Sequence, residues 1–199
     1  MLKIAVTGCI ASGKSTLLNA ISNRNIPIFD CDATIRQLYC RENIVREILT
    51  QFPEIFVNGV FEKNILKNAI NGCFKVRKKL QSILYPYLYK EMEKFFTHHR
   101  RRNTPLVFIE IPLVFENRTL NKYDGVVIVK SPIFKRRQNF IKRNNDKTLW
   151  QIAQQNQWPD EKKIGFPTKT KKLEFFLHST KFQNIETEKL LNNIYSNIW

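Results

Sequence analysis

The sequence predicts an α/β fold built around a parallel sheet, and three stretches carry that expectation. "LKIAV" (2–6), "PLVFIEIP" (105–112) and "GVVIVK" (125–130) are nearly continuous apolar runs, as strands buried on both faces require. The first runs directly into the glycine-rich segment "TGCIASGKST" (7–16). A helical pattern follows from Lys14 to Asn23, with Leu17, Leu18 and Ile21 on one face. "IPIFD" (26–30) then reads as a second buried strand, which completes the start of a parallel βαβ unit.

The remaining elements follow in order. From residue 32 to about 98 the apolar spacing is helical in "ATIRQLY", "ENIVREILTQF", "EKNILKNAI" and "FKVRKKLQSILYPYLYKEMEKFF", with breaks expected near Pro53, Gly59 and Pro86. A helical block of this length between strands reads as an inserted lobe. After the third apolar run come a basic helix, "SPIFKRRQNFIKRN", and a polar one, "TLWQIAQQNQW". Pro159 to Lys172, with proline, glycine and many lysines, reads as a loop. "LEFFLHS" (173–179) is the expected last strand, and "IETEKLLNNIYSNIW" the closing helix.

Composition narrows the function classes. With 199 residues, 43% of them hydrophobic and 12% aromatic, the chain can bury one sizeable core and is not of disordered type. No stretch approaches twenty apolar residues, so no membrane partner and a cytoplasmic location are expected. The four cysteines form no CxxC pair and lie away from metal-ligand spacing with the three histidines, which argues for reduced thiols over structural zinc. A net charge of +16 suits a polyanionic ligand, but basic residues are spread along the chain and ordinary solvated faces explain most of them. Aromatics are not interleaved with the basic runs as stacking platforms would need, so no nucleic-acid partner is expected.

The loop carries the chemistry. Gly8 allows a tight turn after the strand, and Gly13 lets the backbone approach a phosphate closely. The backbone N–H groups of Ala11, Ser12, Gly13, Lys14, Ser15 and Thr16 then form a concavity for phosphate oxygens, reinforced by the N-terminus of the helix that follows. Lys14 supplies a full charge to the β- and γ-phosphates, and the Ser15 hydroxyl can ligate Mg²⁺. A nucleotide with Mg²⁺ is therefore the expected ligand, and switch GTPases, motor ATPases and small-molecule kinases all share such a loop. A guanine-reading NKxD stretch is absent, and the chain is short for a larger ATPase, which leaves a kinase of small metabolites with a basic lid.

On the acceptor side the candidate is "FDCDATIRQLY". Asp30 and Asp32 follow the second strand, at the carboxyl edge where open α/β sheets bind ligands. If the strand continued through them, their carboxylates would point to different sides, one toward an acceptor hydroxyl. Arg36 lies one helical turn beyond Asp32. Spacing alone leaves a second reading open, a helix N-cap with an i,i+4 ion pair between Asp32 and Arg36.

Taken together these residues resemble the dephospho-coenzyme A kinase family. That family joins a "TGGIGSGKST" loop to a "hydrophobic-D-A-D…A-R" segment, then "HP", then "D-V-P-L-L-F-E". Here "TGCIASGKST", "IFDCDATIRQL", "ILYP" and "IEIPLVFEN" stand in the same order at compatible distances. The resemblance implies a three-layer P-loop kinase fold with a five-stranded parallel sheet, an inserted helical acceptor lobe and a basic lid. The core would span about 1–34, 103–135 and 173–199, the insertion about 35–100 and the lid about 136–170. It implies ATP-dependent phosphorylation of the ribose 3′-hydroxyl of dephospho-CoA, the last step of coenzyme A biosynthesis. Asp32 would be the general base, with Lys14 and the lid residue Arg143 beside the transferred phosphoryl group. Arg36, Tyr85, Leu113 and Glu116 would hold the acceptor, and Glu110 with Ser15 the Mg²⁺. Gln155 matches a helix glutamine and Ser179 an adenine-side asparagine. Departures from the pattern are Tyr85 for the histidine before proline, and Cys9 and Ala11 for two loop glycines. The substrates would be ATP and dephospho-CoA, and the chain a monomer or weak oligomer. The alternatives are a kinase for another small acceptor, such as a nucleoside monophosphate, and a degenerate nucleotide-binding homologue.

Overall fold

The computed structural model describes residues 1–57, 60–61, 73–144, 150–151, 154, 157–164, 173–178 and 184–196. The expected helix "EKNILKNAI" and the positions Gln155 and Ser179 lie outside these. Strands are β1 (Leu2–Thr7), β2 (Ile28–Asp30), β3 (Phe56–Val57), β4 (Val60–Phe61), β5 (Leu106–Glu110), β6 (Gly125–Lys130) and β7 (Leu173–His178). The helices are α1 (Lys14–Ser22), α2 (Cys31–Leu38), α3 (Glu42–Gln51), α4 (Phe74–Arg101), α5 (Ile133–Asn144), α6 (Asp160–Ile164) and α7 (Asn184–Ser196). The chain divides into two compact units, Met1–Phe29 with Asn103–Trp199, and Asp30–Arg102.

The larger unit is organised by a sheet of order β2-β5-β1-β6-β7. Parallel pairing runs through four of the five strands that the sequence predicts. Val6 stands opposite Glu110 on one side and Val127 on the other, and Val127 opposite Phe175. The three-residue β2 lies outside β5, where the Phe108 N–H donates to the Pro27 carbonyl at 3.0 Å. The central strands are largely apolar because both faces are covered: every residue of β5 and all but the last of β6 are buried. On one face Leu17, Leu18 and Ile21 of α1 and Leu190, Leu191 and Ile194 of α7 pack against Ile4, Val6, Phe108, Val127 and Val129. The i, i+3, i+4 spacing of both helices supplies that apolar stripe.

The smaller unit packs α2 and α3 against α4. Leu80, Leu84, Leu88, Met92 and Phe96 recur every four residues and are all buried, which places one stripe of α4 inward over four turns. Pro86 does not break this helix, contrary to the sequence expectation. Its ring is on the exposed side of α4, and burial of Leu84 and Leu88 to either side outweighs the roughly 3 kcal/mol that a helix-interior proline costs. The antiparallel pair β3–β4 near Gly59 was not foreseen, because two-residue strands carry too little alternation to read.

Candidate functional site

The phosphate loop follows β1 with the geometry its glycines suggest. Gly8 has φ 147° and Gly13 φ 98°, both in the region that side chains disfavour. Gly13 is the N-cap of α1, and its carbonyl accepts from the N–H groups of Thr16 and Leu17 at 3.1 and 3.2 Å. Ala11 also has a positive φ, 58°, a left-handed conformation that glycine would hold at lower cost. Lys14 crosses back over the loop, its Nζ donating to the carbonyls of Gly8 (3.0 Å) and Cys9 (3.2 Å). Its charge is thus held over the concavity where a phosphate would sit. Ser15 and Thr16 begin α1 on the exposed side, while Ser12 is buried.

The carboxyl edge of the sheet supplies the next residues. Thr7, fully buried, donates through Oγ1 to the Pro112 carbonyl at 3.0 Å, and the Ile111 N–H donates to the Val6 carbonyl at 3.0 Å. These bonds set the end of β5 beside the start of the loop. Glu110, buried and in register with Val6, therefore stands one residue short of the point where the loop begins. A turn follows in which the Asn117 N–H donates to the Leu113 carbonyl at 3.0 Å. Leu113 is half-buried, and Glu116, with a side chain only 10% exposed, accepts through Oε1 from the Trp158 N–H at 2.7 Å. Lys163, whose side chain is fully buried, lies 3.4 Å from the same oxygen. Arg143 is exposed in the last turn of α5.

In the smaller unit the two aspartates divide their roles differently from either sequence reading. The strand stops at Asp30, and its carboxylate accepts from the Ala33 N–H at 2.7 Å, so Asp30 is the N-cap of α2. This contradicts a strand running through Asp32, because the cap bond turns the backbone into a helix at Cys31. Asp32 sits in the first turn of α2, exposed, and Arg36 follows one turn later, also exposed. Tyr85 is half-buried on α4 and meets Tyr89 edge-on, with ring centroids 5.9 Å apart.

Several residues around the loop were not singled out by sequence reasoning. Asp160–Ile164 is helical rather than loop: Asp160 and Glu161 occupy the first turn, and the Pro159 carbonyl accepts from the N–H groups of Lys162 and Lys163. The Ile10 N–H donates to Gln157 Oε1 at 2.6 Å, and Cys9 Sγ donates to Asp160 Oδ1 at 3.0 Å. Burial, opposed by the charge of Lys163 and aided by the bond to Asp160, pushes the Cys9 thiol up to about 11. It is a neutral hydrogen-bond donor at physiological pH and not a nucleophile. Arg136 is buried, with Nε donating to the Ser131 carbonyl at 3.1 Å and its guanidinium over the Trp150 ring.

Comparison with known proteins decides what this loop belongs to. A model of the dephospho-CoA kinase family matches residues 2–168. The chain belongs to the dephospho-CoA kinase family. Its reaction is ATP-dependent phosphorylation of dephospho-CoA, in coenzyme A biosynthesis. A dephospho-CoA kinase of Bartonella henselae is 29% identical over 161 residues, spanning 80% of this chain and 83% of that protein. A crystal structure of a Thermus thermophilus protein matches with a TM-score of 0.83 at 25% identity, covering 100% of this chain and 98% of that one. A dephospho-CoA kinase from Campylobacter jejuni shares the fold, with a TM-score of 0.67 at 19% identity over 99% and 98% of the two chains. No helix among the described residues is long and apolar enough to cross a membrane.

Proposed function

We propose that this dephospho-CoA kinase transfers the γ-phosphoryl group of Mg·ATP in line to the ribose 3′-hydroxyl of its acceptor. The observation that carries the reading is the loop itself: two positive-φ glycines, a helix N-terminus behind them and Lys14 held across the mouth. Such a cradle neutralises charge on the β- and γ-phosphates at a fixed place, which is most of what phosphoryl transfer asks of a protein.

Asp32 takes the proton from the 3′-hydroxyl; its carboxylate is exposed in the first turn of α2, the helix that Asp30 caps. Arg36, Tyr85, Leu113 and Glu116 hold the acceptor. Arg143 supplies charge over the transferred group. Ser15 and Glu110, a hydroxyl and a buried carboxylate, would hold the Mg²⁺, being hard oxygen donors of the kind that ion takes. When bound it neutralises the β- and γ-oxygens. Residues 35–100 form the acceptor lobe, 136–170 the lid, and β2 the fifth parallel strand. The protein acts in the cytoplasm as a monomer or weak oligomer.

A panel measuring ADP release with ATP, Mg²⁺ and dephospho-CoA, AMP or CMP tests the reading. ADP release stimulated by dephospho-CoA above the others supports it. Stimulation by a nucleoside monophosphate alone, or none despite ATP binding, would overturn it.

A further inference from the structure

The phosphate loop is gripped by a segment some 150 positions further along the chain. Ile10 gives its N–H to Gln157 Oε1 at 2.6 Å, and Cys9 its S–H to Asp160 Oδ1 at 3.0 Å, with the Trp158 carbonyl 3.5 Å from the same sulfur. The gripping segment is itself tied down. Trp158 donates its N–H to Glu116 Oε1 at 2.7 Å, and the buried Lys163 Nζ lies 3.4 Å from that oxygen. Lys162 Nζ stands 4.1 Å over the Trp158 ring. Glu116 lies in the turn that follows β5, and the Ile111 N–H at the end of β5 is bonded to the Val6 carbonyl of β1. The connections form a closed circuit from loop to segment to sheet and back to the loop.

Two features make this circuit more than packing. The groups it engages are the thiol and an N–H of the loop's first two residues after Gly8, just before the left-handed Ala11. Those residues decide where the following N–H groups point. The circuit is also electrically balanced. Asp160 and Glu116 bring two negative charges beside a loop that must attract phosphate, and the positive charges of Lys163 and Arg136 offset them. Lys163 is fully buried and makes no hydrogen bond among the described residues, so its placement beside Glu116 costs desolvation that only this charge balance repays.

We propose that Gln157 and Asp160, backed by Lys163, are positioning residues that brace the phosphate loop in its ATP-binding shape through Ile10 and Cys9. They act on ATP binding through the loop backbone. The inference rests on the loop being the ATP cradle. It predicts that loss of one brace bond loosens ATP binding and leaves the acceptor side unaffected.

The test uses the full chain with Gln157→Ala, Asp160→Ala, Cys9→Ala, Cys9→Ser and the Cys9→Ala/Asp160→Ala double variant. Steady-state kinetics are measured with ATP and dephospho-CoA, ATP binding by calorimetry, and folding by thermal melts. Gln157→Ala and Asp160→Ala should each raise KM for ATP about 3- to 10-fold, the worth of one hydrogen bond, with KM for dephospho-CoA unchanged. The double variant should be no weaker for ATP than Asp160→Ala alone, because the two single changes break one bond. Cys9→Ser, which keeps a donor, should stay near wild type. An unchanged KM for ATP in folded Gln157→Ala and Asp160→Ala, or additive Cys9 and Asp160 effects, overturns the brace while leaving the loop's role intact. Failure of the wild-type chain to bind ATP at all would instead remove the cradle, and the brace with it.

Discussion

Replacing Gly8 by alanine would set a methyl carbon against the Val129 carbonyl oxygen, with Ser12 Oγ at 2.9 Å and the Val129 carbonyl carbon at 3.2 Å. The crowding follows from the sheet. Val6 is in register with Val127, so the chain two residues further on, at Gly8, runs against Val129 on β6. Val129 cannot yield cheaply, because it is fully buried backbone of a central strand. Overpacking of this kind costs about 1–3 kcal/mol, and a side chain at φ 147° adds about 1–3 more, so the total is about 4 kcal/mol. For a chain of this size that corresponds to a fall in melting temperature on the order of 10 °C. The loop can relieve the clash only by moving, so ATP affinity should fall at least about tenfold where the variant stays folded. Thermal melts and ATP calorimetry on Gly8→Ala read both effects. A melting temperature within about 2 °C of wild type, together with unchanged ATP affinity, would refute the close approach to β6.

Other expectations follow from the same geometry. Asp32→Asn should leave ATP affinity within about twofold of wild type and lower kcat roughly 100-fold or more, as loss of a general base does; wild-type turnover would remove Asp32 from that role. Lys14→Ala should raise KM for ATP and lower kcat together, by roughly 100-fold in kcat/KM, because one charge serves both binding and transfer. Ala11→Gly should stabilise the fold by about 0.5–1 kcal/mol in a urea melt, since glycine holds φ 58° without the Cβ cost but loses more entropy on folding. The Cys9 thiol, raised from 9.0 to about 11, favours the protonated form in the folded state. Its contribution is therefore complete below pH 9 and is lost as pH rises toward 11, on the order of 2 kcal/mol. Cys9→Ala should flatten the fall in stability across that range, and an identical pH profile would contradict the buried, hydrogen-bonded thiol.

The parts of this protein legible in its sequence are those governed by local pattern. The apolar runs of β1, β5 and β6 and the Leu17, Leu18, Ile21 stripe of α1 read directly, because burial on both faces or one face dictates residue type at each position. The loop read equally well, since Gly8 and Gly13 are needed for backbone shape and Lys14 for charge. Pro86 misled because local propensity was outweighed by the long buried stripe of α4. Asp30 and Asp32 share a residue type two positions apart, and only the bond from Ala33 to Asp30 tells cap from exposed carboxylate. The brace was illegible for another reason. Its bonds join Cys9 and Ile10 to residues separated from them by 147 to 151 positions, and a glutamine or aspartate near a proline carries no mark of such a partner.

The most direct test of the central claim is where the phosphate goes. Dephospho-CoA incubated with ATP, Mg²⁺ and the full chain, then examined by phosphorus NMR and mass spectrometry, should gain one phosphoryl group as a ribose 3′-monoester, with one ADP formed for each. ADP accompanied by inorganic phosphate and unchanged dephospho-CoA, or a product phosphorylated elsewhere, would contradict it.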